Sequence, residues 1–139
     1  MEVEVSAWGV LGAAVASMVV GSIWYAKPVF GNTWIKLVGL KDKDMKEGAT
    51  RSIILAALMS LLTTYVLAHI TYMSYIFFDY SFLGAALSTA VWLWLGISLT
   101  RTVMQDAFEM RPPKLTVLNA ANQLAIFLAM GLVIGLVGL

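Results

Sequence analysis

Four long stretches of the chain, Val5–Ala26, Ser52–Met73, Phe82–Thr100 and Leu115–Leu139, carry no acidic or basic side chain. Each is close to the roughly 20 residues that a helix needs to cross a hydrocarbon core of about 30 Å. The runs are rich in Leu, Ala, Met and Gly and lack strict apolar–polar alternation. That suits helices rather than barrel strands, because each backbone polar group in lipid must be bonded within the protein. The pattern predicts an all-α, integral membrane four-helix bundle, a single domain over 1–139 with spans at roughly 5–26, 52–73, 82–104 and 114–138. Pro28 should end the first helix, since it lacks a backbone donor and clashes with the preceding turn. Beyond it Phe30, Trp34, Leu37 and Val38 recur at helical spacing, which predicts a short amphipathic helix at headgroup level between the first and second spans.

Composition and charge sharpen this picture. With 60% hydrophobic and 12% charged residues among 139, and a mean hydropathy of +0.85, a water-soluble fold of this size could not hide its apolar surface. A formal net charge of +1 without a basic run leaves no electrostatic footprint for nucleic acid. The absence of cysteine excludes disulfides, thiolate metal sites and cysteine nucleophiles. The first run follows Met1-Glu2-Val3-Glu4, acidic where a cleaved leader would be basic, so this helix is expected to be retained.

All nine Lys and Arg fall in two connections: Lys27 to Arg51, and Arg101, Arg111 and Lys114. Basic loops stay in the cytoplasm, so both chain ends and the Ser74–Ser81 turn are expected on the outer side of the cell membrane. Trp8, Trp24, Tyr25, Tyr72, Tyr75, Phe77, Phe78 and Tyr80 sit at the span ends, as interfacial anchors do. The mixed-sign stretch from Lys41 to Glu47 reads as a solvated turn with weak local ion pairs.

Two motifs resemble a known family. Trp24-Tyr25, Phe30-Gly31 and Trp34 are similar to the signature of an uncharacterised family of small four-span membrane proteins, the domain of unknown function numbered 1761. Phe108-Glu109-Met110-Arg111-Pro112, followed by Asn119, resembles that family's second stretch, with Met110 where Gly is usual and Asn122 where an aromatic residue is common. The resemblance covers nearly the whole chain. It implies the four-span architecture, with no activity, substrate or cofactor attached.

The candidate chemistry inside the spans is sparse. No carboxylate or ammonium lies mid-span, which counts against a proton-coupled exporter such as the small multidrug type. Counting about 1.5 Å per residue from Lys27, Arg51 and Lys114 places Ser17, Ser60 and Gln123 in one layer about 14–15 Å deep, with Asn119 and Asn122 nearby. Interhelical hydrogen bonding is the expected role of that layer. His69 falls about 13 Å further out on the same count, too far for a joint site. No catalytic, cofactor-binding or metal-ligating constellation is expected; Asp106 with Glu109 and Asp79 with His69 are the only groupings available to a membrane-embedded enzyme.

Packing signals are clearer. Gly9, Ala13, Ser17 and Gly21 form a small-residue strip on the first helix, and Gly131 and Gly135 one on the fourth. Either can face a helix of this chain or of a neighbouring subunit. The expected partners are the lipid bilayer and either a homo-oligomer or a larger membrane complex, with no nucleic acid and no cofactor. The expected role is non-catalytic, as a structural, assembly or accessory subunit; the alternative is a channel or facilitator for a small solute.

Overall fold

The computed structural model describes residues 3–139; Met1 and Glu2, on which the retained-leader expectation partly rests, lie outside them. Four apolar helices long enough to cross a membrane are present. Helix α1 (Ala7–Trp24) starts where Ser6 accepts the backbone N–H of Gly9 at 3.3 Å, satisfying one of the free donors of its first turn. A single π turn (Lys27–Gly31) and the short helix α2 (Asn32–Val38) follow, closed by Gly39 in the left-handed conformation.

Helix α3 runs unbroken from Asp42 to Phe78. The Lys41–Glu47 stretch is therefore the first turns of a helix and not a free turn. Asp42 and Asp44 favour its positive N-terminal end, and Lys43 pairs loosely with Glu47, one turn on, at 4.0 Å. Asp79, in the left-handed region, ends α3. Ser81 then caps α4 (Phe82–Leu93), which continues through a π-helical stretch (Trp94–Leu99) into α5 (Thr100–Phe108). Helix α6 (Pro113–Val137) begins with a proline in its first turn, where the missing N–H costs nothing.

The helices pack as a square, with α1 between α3 and α6, and α4 between the same two. The core lies in the half away from the basic loops. There Ala13, Leu67, Ala86, Ala90 and Met130 are all 2% exposed or less. Both small-residue strips are used within the chain. A Cβ on Gly131 would lie 2.9 Å from the Ala86 carbonyl oxygen, and one on Gly135 2.9 Å from Leu83 Cα, so α4 sits on the α6 strip. On α1, Gly9 and Gly21 face Val137 and Ile126 of α6, while Ala13 and Ser17 are buried. Close backbone approach of this kind drives helix association where lipid removes the hydrophobic incentive.

Towards the basic end the square opens. Helix α3 meets α1, α4 and α6 but neither the π stretch nor α5. From Arg51 to Ala56 every residue of α3 is exposed.

Candidate functional site at the basic end of the bundle

The two motif segments converge where α1 and α6 meet. At the end of α1, the Gly31 N–H donates to the Ala26 carbonyl at 3.0 Å, closing the π turn. A Cβ at position 31 would overlap the Tyr25 carbonyl oxygen and come within 2.8 Å of Ala26 C, so this turn admits only glycine. The reversal stacks Phe30 on Trp24, with ring centroids 4.7 Å apart, and brings Trp34 within 5.3 Å of Tyr25. Trp34, Leu37 and Val38 are half-buried and Phe30 is exposed; α2 folds back along α6. The Tyr25 hydroxyl donates to Asn119 Oδ1 at 2.8 Å and also lies beside the Asn122 side chain.

A second polar group forms between α6 and the π stretch. Gln123 Oε1 accepts from the Ser98 hydroxyl and, at 3.2 Å, from that of Thr102. One turn away, Trp94 Nε1 donates to the Ala120 carbonyl at 3.0 Å. The π stretch has the extra residue per turn that a wide i to i+5 turn requires. Thr100 Oγ1 donates to the carbonyls of Gly96 and Ile97, satisfying groups at the return to α-helix.

The depth count from Lys114 is corrected here. Thr102 directly follows Arg101, so Gln123 lies level with a charged residue and not mid-span. The reason is that α6 begins beyond the end of the charge-free run of the third helix: its Thr116 hydroxyl donates to Asp106 at 2.7 Å. Ser17 and Ser60 do not join Gln123. Ser17 donates to the Ala14 carbonyl of its own helix, and Ser60 to the Met18 sulfur at 3.8 Å. Because Gly21 faces Ile126, Ser17 lies about two turns beyond Gln123. The layer predicted as Ser17, Ser60 and Gln123 is instead Tyr25, Trp94, Ser98, Thr102, Asn119, Asn122 and Gln123. Ser98 and Thr102 escaped the sequence reading because the π stretch sets which way they turn, and no local residue pattern announces it.

The second motif forms the α5–α6 turn. Arg111 Nε donates to Glu109 at 2.6 Å and stands 4.0 Å from the buried carboxylate of Asp106; the Arg111 N–H donates to the Asp106 carbonyl at 2.9 Å. Gln105 and Arg111, both donating to it, hold the Glu109 carboxyl below the usual range. Phe108 is fully in the surroundings, and Pro112 precedes the first turn of α6. His69 lies against Tyr65 on the exposed side of α3, with Nδ1 2.8 Å from the Tyr65 carbonyl. Among the described residues no three His, Asp or Glu side chains are placed to hold a metal ion. Buried polar atoms without a partner among the described residues include Trp24 Nε1, Thr71 Oγ1 and Asn122 Oδ1.

Four apolar helices with their charges confined to the ends define a multi-pass membrane protein. Its family is the one described as a protein of unknown function (DUF1761), which matches residues 8–135, and the chain belongs to it. Neither a curated protein nor a solved structure matches the chain.

Proposed function

We propose that this protein is a non-catalytic packing unit of the cell membrane, an assembly or accessory subunit whose basic end faces the cytoplasm and whose two chain ends face outward. The observation that carries this reading is where the polar side chains of the spans point. Gln123, Tyr25, Asn119, Trp94 and Ser98 are bonded to one another's helices, which ties α1, the π stretch and α6 together. The other half of the bundle is filled by Ala13, Leu67, Ala86, Ala90 and Met130, an arrangement suited to holding helices together rather than to passing a solute. Clustering of all nine basic residues at one end supports the orientation.

Gln123→Leu tests the reading against a solute conduit. It removes the acceptor of two hydroxyls and should lower stability by about 1–2 kcal/mol. Thermal denaturation in detergent and swelling of proteoliposomes are measured on the same pair of proteins. The expected result is a lower midpoint and no solute flux in either. A wild-type flux abolished by the substitution, at unchanged stability, would establish the conduit instead.

A further inference from the structure

We infer that the cleft between α3 and the π stretch holds one anionic phospholipid of the leaflet on the basic side, its acyl chain in the cleft and its phosphate between Arg51 and Arg101. This goes beyond the packing-unit reading and does not depend on it. Between α3 and the π stretch no residues touch, and α6 forms the floor of the gap. The gap has a volume of about 250 Å³ and is walled by Leu62, Val66, Leu93, Ile97 and Phe127, with Ser98 at its polar edge. It lies within the apolar length of the helices, where acyl chains are the surrounding solvent.

The mouth of the cleft gives the headgroup its chemistry. Arg101 follows Ile97 by four residues and Ser98 by three, so it stands on the same helix face one turn nearer the basic end. Arg51 flanks the opposite wall. Gly21 faces Ile126 and Ser60 meets Met18, which sets Arg51 level with about Ala120 of α6. Thr102 with Gln123, and Asp106 with Thr116, set Arg101 level with about Ala121. The two guanidiniums thus belong to one layer. Both residues are exposed, and among the described residues neither has a carboxylate within 4.0 Å. An unpaired guanidinium beside an apolar groove suits a phosphate with an alkyl tail: the planar fork matches phosphate oxygens, and the long side chain reaches the headgroup plane.

The full-length protein, purified in mild detergent, is titrated with phosphatidylglycerol or phosphatidylcholine, and bound lipid is counted by native mass spectrometry. Phosphatidylglycerol should bind more tightly than phosphatidylcholine, at one copy per chain. Arg51→Gln and Arg101→Gln should each weaken it about fivefold, and the pair about 25-fold. Arg51→Lys with Arg101→Lys should keep the preference for the anionic lipid, which a general loss of fold would not. Ile97→Trp, which fills the groove and leaves both arginines in place, should abolish retention in a protein that still elutes as the wild type. Equal affinity for the two lipids, binding unchanged in the double glutamine variant, or retention by Ile97→Trp would each overturn the site. So would a disulfide formed between two chains carrying Val66→Cys and Ile97→Cys, because a second copy would then fill the cleft.

Discussion

Met110 is held at a φ of +54°, in the left-handed region, at the corner that joins α5 to α6. The Arg111 N–H bonded back to the Asp106 carbonyl and the arginine paired with Glu109 fix that corner, so the backbone cannot relax around the side chain. A residue with a Cβ there costs roughly 1–2 kcal/mol, and glycine's greater freedom when unfolded offsets about 0.5–1 of it. Met110→Gly should therefore raise the thermal midpoint in detergent by the equivalent of about 0.5 kcal/mol, whereas the β-branched Met110→Ile should lower it. The glycine usual in the related stretch thus has a backbone reason. Gly31 is the converse case, a position where any side chain would strike the carbonyl of Tyr25.

Among the elements, the π stretch at Trp94–Leu99 decides which side chains meet α6. Removing one residue, most simply Gly96, which has open space around it, should convert the stretch to regular α-helix. Everything beyond it would rotate by about 100°. Ser98 and Thr102 would then swing away from Gln123. The expected outcome is a folded helix content by circular dichroism with a midpoint lowered by about 2 kcal/mol or more, similar to Gln123→Leu and not additive with it. Much of this architecture was legible in the sequence. Charge-free length alone located the four spans, because lipid imposes so strong a constraint on backbone polar groups. The spacing of Gly131 and Gly135 marked a packing face, though only the fold could assign α4 as its partner. What stayed hidden was register. The offset between α5 and α6 depends on where Asp106 meets Thr116, and counting from Lys114 placed Gln123 too deep. The helical extension at Asp42–Arg51 was also hidden, because a stretch of alternating charge reads as a turn until a long helix continues behind it.

For the whole molecule, the asymmetry of charge sets the expected orientation. The chain has no cysteine, so single cysteines report without background. Asp44→Cys, on the basic extension of α3, should be shielded from a membrane-impermeant thiol reagent in intact cells, and Asp79→Cys, at the opposite turn, should react. The reverse pattern would invert the topology. The same geometry gives α3 a mechanical character. Its Thr64–Thr71 portion is clamped in the bundle, with Thr64, Leu67 and Ala68 at 5% exposure or less, while the stretch from Asp42 to Thr63 leaves the bundle progressively and no proline interrupts it. Such a helix behaves as a cantilever. Its free arm is about 33 Å long, so a tilt of about 5° at the clamp moves the tip by about 3 Å. Side chains of modest size around Leu67, such as Ala13 and Ala86, thereby govern the reach of charged residues far from them, and the arm acts as a pointer that magnifies small changes in the packed half of the molecule.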